Sequence, residues 1–202
     1  MQRPLPGATL SGRLRYYPVM RHGRYIAYSA LALCAAAPTT VNAQAESFLG
    51  PSVGVFFPMD GDLRDALGGS WFSFGASRVK IDPYQKRNIG VDWNAFSKEK
   101  SGNKVFMIAG TIGVNMPFGK PGDTTRPYFA VRGGLSYIDY AVNTAPLTRV
   151  GGKKLGFNGN VEVGVNVGHN FNVSGRYDLF PSYDGLHFSG FSVAVKWGVA
   201  RF

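Results

Sequence analysis

Six charged side chains stand at positions where small polar residues otherwise recur: Asp92, Arg132, Glu162, Arg176, Asp178 and Lys196. Three acids and three bases on one enclosed face could neutralise one another as a salt-bridge network, or pass an ion or proton along. Isolated buried charges are costly, whereas paired and hydrogen-bonded ones are tolerated, so a structural network filling an interior is the first expectation. Asp92 and Glu162 are not by themselves a glycosidase pair, because nothing in the pattern implies a cleft. His187-Phe188-Ser189 places an imidazole and a hydroxyl on one face of a strand, which invites an enzyme reading. No acid follows Ser189, so a carboxylate to orient the imidazole is missing from the expected place. No metal site and no cofactor are expected. Beyond residue 43 there are two His (169 and 187) and no Cys, and Gly133-Gly134 sits in a strand pattern with no following helix.

These side chains need elements to hold them, and Leu155–Val167 shows their kind. The odd positions from Leu155 to Val167 are apolar, apart from Gly159, and the even ones are Gly156, Asn158, Asn160, Glu162, Gly164 and Asn166. A period of two is a β-strand with one apolar and one polar face. The run is longer than the roughly 5–6 residues usual in globular domains, and a tilted strand crosses a bilayer with roughly 9–11. The same alternation predicts strands near 47–57, 71–79, 88–97, 105–116, 128–140, 153–167, 171–180 and 187–202. Pro58 to Gly69 is predicted as a polar loop with room for one helical turn. Eight antiparallel strands bring both ends of the sheet to one side, and closing them removes the sheet edges.

The chain has 202 residues and a net charge of +10, with 27 Gly, one Cys and 17% charged residues. A typical soluble domain carries roughly 25% charged residues. Residues 1–43 hold five Arg and no acid, then an apolar run from Ile26 to Ala37 and the small-x-small sequence Val41-Asn42-Ala43. That is the plan of a secretory signal peptide. Cleavage is expected after Ala43, and Met20 is a candidate start because residues 1–19 add nothing to the signal. The alternative is a basic N-terminal tail. Cys34 follows Leu33 rather than a small residue, which argues against lipid anchoring. Residues 44–202 carry 17 basic against 12 acidic side chains, scattered rather than grouped, so no nucleic-acid partner is expected.

Alternation alone does not say which face points outward. A soluble lipophile-binding barrel would put the apolar face inside, and a membrane barrel would put it outside. The polar faces are mostly Gly, Ser, Asn, Ala and Thr, poor in the Lys and Glu of a wet surface. Aromatics gather near strand ends: Phe57, Trp71, Phe96, Tyr137, Tyr140, Phe180 and Phe188 at one rim, Phe118, Tyr128, Phe129, Phe171 and Phe202 at the other. They read as the two interfacial girdles of a membrane barrel. The expected fold is therefore an all-β, eight-stranded antiparallel up-and-down transmembrane β-barrel spanning 44–202.

The signal segment, the eight amphipathic strands, the short turns and the C-terminal Phe202 resemble the small bacterial outer-membrane barrels of the OmpA/OmpX/OmpW type. The resemblance implies an outer-membrane location, lipid and lipopolysaccharide as neighbours, a monomer, and Phe202 as the signal read by the barrel assembly machinery. Phe202 is out of phase with Phe191–Val199, and Arg201 takes the in-phase position; either a bulge near 198–200 restores the phase or the signal is degenerate. The functions implied are a structural, adhesive or surface-binding role with a side-chain-plugged lumen, or passage of small hydrophobic molecules as in OmpW. Lipid A deacylases share the barrel and a His-x-Ser pair, but Gly190 stands where that family has Asn.

Overall fold

The computed structural model describes residues 46–81, 88–120, 123–145, 148–167, 171–198 and 200–201. The expected signal segment 1–43, with Met20 and Cys34, lies outside the described residues, as do His169 and Phe202. Period-two alternation builds β1 (Glu46–Pro58), β2 (Trp71–Ile81), β3 (Asn88–Lys100), β4 (Asn103–Pro117), β5 (Thr125–Ala145), β6 (Thr148–Val167) and β7 (Phe171–Leu179). Each is antiparallel to the one before it. A two-rung hairpin, β8 (Ser182–Tyr183) and β9 (Leu186–His187), precedes β10 (Gly190–Trp197) and β11 (Ala200–Arg201). β10 pairs with β7 on one side and β1 on the other, closing the sheet. The result is an antiparallel barrel of eight staves, β10 and β11 together forming the last.

Register decides which side chains meet inside, because a one-residue slip would turn every side chain to the other face. Asp92 lies between Ser77 and Thr111, and Glu162 between Ala130 and Arg176. The last stave contains the expected correction of phase. Ser52 faces Lys196 while Leu49 faces Ala200, so three steps along β1 match four on the last stave. One extra residue in a strand is the mark of a bulge.

The loop between β1 and β2 is more ordered than alternation suggested. It holds a seven-residue helix, α1 (Gly61–Leu67). Asp60 caps it, accepting from the backbone N–H of Leu63 at 2.9 Å, and Gly68 ends it at φ 90°, a conformation that costs glycine little. The other carboxylate oxygen of Asp60 accepts from the His187 backbone N–H at 2.9 Å. One side chain therefore ties α1 to the β8–β9 hairpin. Asp60→Ala is expected to cost about 0.5–2 kcal/mol, read as a lower midpoint in urea unfolding of the lipid-embedded barrel.

β5 and β6 are longer than their alternating cores, at 21 and 20 residues. Their hairpin rises past the neighbouring staves, since β4 stops pairing at Lys104–Ala141 and β7 at Gly159–Leu179. Arg149 Nη2 donates to the Gly102 carbonyl at 3.4 Å, and Asn103 Oδ1 accepts from the Asn143 N–H at 2.9 Å. These bonds hold the hairpin against the β3–β4 turn.

Candidate functional site: a two-storey barrel interior

The six charged side chains lie close together inside the barrel. Lys196 Nζ donates to both oxygens of Glu162, at 2.8 and 3.1 Å, and Arg132 Nη1 donates to Glu162 Oε2 at 3.0 Å. Arg176 bridges two acids, with Nη1 2.9 Å from Asp92 Oδ2 and Nε 2.8 Å from Asp178 Oδ1. Lys196 Nζ also lies 3.9 Å from Asp92 Oδ1, which joins the two halves. All six side chains are buried, and Asp92 and Glu162 are wholly inaccessible. Equal numbers of acids and bases leave this layer neutral, the condition under which buried charge is tolerated.

Neutral partners complete the layer. The Tyr128 hydroxyl donates to Glu162 Oε1 and lies 3.1 Å from Asn172 Oδ1. Asn94 donates to Asp92, Asn115 accepts from Arg132, and Ser192 donates to Asp178, all within 2.5–2.6 Å. Asn160 Oδ1 lies 3.4 Å from Arg132 Nη1. The sequence reading left these residues out of the site, yet their parity placed them on the faces that carry the charges. Tyr128 is a correction: it was placed in an aromatic girdle and instead points inward, where its hydroxyl finds an acid.

The upper storey is apolar. Phe56, Trp71, Phe96, Val105, Met107, Ile138, Tyr140, Val142, Phe180, Leu186 and Phe188 are buried together at the loop end, with Leu63 and Leu67 of α1 among them. Phe96 stacks edge-on to Phe180 at 5.7 Å and lies 4.8 Å from Phe56. Trp71, Phe96, Tyr140, Phe180 and Phe188 were expected in the outer girdle, and the structure turns them inward. Their parity explains it: Phe96 follows Asp92 and Asn94 on the same face, and Phe180 follows Arg176 and Asp178. The Arg176 guanidinium lies 5.8 Å from the Phe96 ring centroid, where the storeys meet. At the top, Tyr140 donates to Asp184.

The outer wall is the reverse of the inner. Ile89, Val91, Ile112, Val131, Leu135, Val163, Phe171, Val193, Val195 and Trp197 are exposed on it, as are Leu155 and Phe157 at 78% and 84%. Phe57, Phe118 and Phe171 are exposed near the rims, as the girdle pattern required. An apolar band contributed by every stave far exceeds the few hundred Å² that a soluble surface carries. With charges inside and hydrocarbon outside, the wall is matched to lipid. This arrangement overturns the soluble, lipophile-filled alternative, whose apolar face would line the interior.

His187 and Ser189 take separate partners. The His187 ring Nδ1 lies 2.6 Å from Ser182 Oγ, while Ser189 Oγ accepts from the Phe180 N–H at 3.0 Å and donates to the Phe180 carbonyl at 3.1 Å. Ser189 therefore fastens the start of β10 to the end of β7. Among the described residues no group of three His, Cys, Asp or Glu is placed to hold a metal.

Fold and interior define the class: a small transmembrane β-barrel with a filled lumen. No protein-family model matches the chain, and no curated protein matches its sequence. Among solved structures it is similar to Neisserial surface protein A, at 15% identity and a TM-score of 0.50, over 77% of this chain and 97% of that one. It is also similar to Ail, the attachment invasion locus protein of Yersinia pestis, at 11% identity and a TM-score of 0.48, over 78% and 97% of the two chains. The N-terminal β-barrel domain of Pseudomonas aeruginosa OprF aligns at 15% identity and a TM-score of 0.45, over 77% and 97%. At 15% identity, the likeness to the Neisserial protein is one of fold.

Proposed function

We propose that the protein is a non-conducting outer-membrane barrel that works through its loop end, in surface binding or adhesion, with lipid and lipopolysaccharide around it. The observation that carries this reading is the double closure of the lumen. An ion entering from the loop end would meet the buried aromatic and aliphatic layer under α1, and one entering from the other end would meet the paired charges. The barrel is thus a rigid stand for the β5–β6 hairpin, α1 and the β8–β9 hairpin. Planar-bilayer recording of the refolded protein is expected to show no steady channel. Stepwise conductance of uniform size would overturn the proposal.

A second reading, lateral passage of small hydrophobic molecules, is favoured by one seam. Above Gly159–Leu179, β6 has no strand partner on the β7 side among the described residues, and Pro181 and Tyr183 lie against Gly156. A Cβ on residue 156 would collide with both. Beside the seam, Asn158 is buried with neither amide atom hydrogen-bonded. Gly156→Val is expected to force Pro181 and Tyr183 away. If lateral passage operates, uptake of a hydrophobic dye into vesicles would rise in this variant; unchanged uptake would sink this reading.

A further inference from the structure

The upper edge of β6 offers something the barrel wall does not. From Arg149 to Lys154 the strand is paired only with β5. Among the described residues no backbone hydrogen bond joins its other edge. A row of free N–H and C=O groups is a template for another strand. Below this stretch the template stops, because the Tyr183 hydroxyl donates to the Leu155 carbonyl at 2.9 Å.

The edge is also preorganised. The inner face of the hairpin carries Ile138, Tyr140 and Val142, all buried in the apolar layer, with Val150 packed against it. The Asn103–Asn143 and Arg149–Gly102 bonds hold the outer end. A strand already fixed in extended form spares a ligand much of the ordering cost of association. Gly151 and Gly152 leave the middle of the edge without side chains, which favours close approach of a second backbone.

Charge selects the partner. Arg149, Lys153 and Lys154 lie on this edge strand, and no acid occurs on β6 from Thr148 to Val161. The nearest acid across the ladder, Asp139, faces Lys153 in register but lies 3.8 Å from Lys104. A second copy of this chain would set like charges opposite one another, which destabilises a strand pair. We propose that Arg149–Lys154 is a docking edge for an extended, acidic polypeptide segment, which adds beside β6 as a further strand. This deepens the surface-binding reading and rests on it. Backbone pairing would supply the affinity, and carboxylates facing Arg149 and Lys153 would supply the selectivity.

The test uses the folded full barrel in nanodiscs of zwitterionic lipid. The probe is a fluorescent ten-residue peptide of alternating Glu and Thr. Its two controls are the same peptide N-methylated at every second amide, and a Lys/Thr counterpart. Saturable binding of the Glu/Thr peptide is expected, weakened at least tenfold by N-methylation, by the Lys/Thr exchange, and by the Arg149→Glu/Lys153→Glu variant. Heat-modifiable gel mobility verifies that the variant is folded. Equal binding of the N-methylated peptide would show a polyanion surface rather than strand addition and would overturn the proposal. So would binding of anionic-lipid vesicles with none of the peptide. If no peptide binds while cells bearing the protein still adhere to a host-cell layer, the edge fails and the surface-binding reading stands. Loss of neither binding nor adhesion on deletion of the whole hairpin would overturn the docking edge and leave α1 and the β8–β9 hairpin to carry the surface-binding reading.

Discussion

Replacing Glu162 with Ala is expected to lower the stability of the barrel by about 3–5 kcal/mol, the usual cost of removing one partner from a buried ion pair. Glu162 is where the network converges: Lys196 and Arg132 both donate to it, and Tyr128 adds a third donor. Its loss leaves two cations facing each other across a dry interior, with Asp92 the nearest remaining acid to Lys196 at 3.9 Å. Glu162→Gln keeps the shape and one acceptor, so it is expected to cost less than Ala while remaining destabilising. The measurement is urea unfolding in lipid vesicles, read by heat-modifiable mobility. A paired variant, Glu162→Gln with Lys196→Met, is expected to recover part of the loss because it removes the orphaned charge with the acid. Failure of the pair to improve on Glu162→Gln would show that the ion pair does not govern stability here.

The second large effect is expected in the apolar storey. Trp71→Ala removes a buried ring that lies 5.4 Å from Phe56 and whose Nε1 donates to the Gly68 carbonyl at 3.0 Å. Truncating a buried aromatic costs about 3–5 kcal/mol. The indole also fastens the end of α1 to the start of β2, so its loss is expected to loosen the plug. Two readouts should therefore move together. The unfolding midpoint should fall, and amide exchange of Leu63–Leu67 should accelerate more than that of β7 or β10. If the midpoint falls with no selective change at α1, the ring only fills space, and the helix is held by the Asp60–His187 bond instead.

Much of this architecture was legible in the sequence because β-structure in a membrane is written with a period of two, and the parity of a residue states its face. Parity placed Asp92, Arg132, Glu162, Arg176, Asp178 and Lys196 on one inner surface, although they come from five staves. Parity also marked Phe202 as out of phase with Phe191, leaving a bulge or a degenerate signal, and the register of the last stave carries one extra residue between Lys196 and Ala200. Composition and parity disagree at the loop end. Phe96, Tyr140, Phe180 and Phe188 are aromatic and lie near strand ends, so they read as an interfacial girdle. Each nevertheless has the parity of an inward neighbour, so it faces the interior however near the strand end it lies. At the loop end these rings fill the interior in place of charges. Alternation could not reveal α1, because seven residues are too few for a helical period to show in Gly61–Leu67. It could not reveal the height of the β5–β6 hairpin either, since Gly151 and Gly152 interrupt the apolar pattern.

Which face of the wall meets lipid is open to a direct test, because residues 44–202 contain no Cys. Single cysteines would replace outward Val163 and Val193 and inward Ser174 and Ser192, each carrying an environment-sensitive fluorophore in the refolded barrel in vesicles. Brominated acyl chains are predicted to quench the labels at 163 and 193 strongly and those at 174 and 192 hardly at all. Quenching by lipid at 174 and 192, or by aqueous iodide at 163 and 193, would contradict the membrane barrel. The paired charges would then have to be placed on the outside of a different fold.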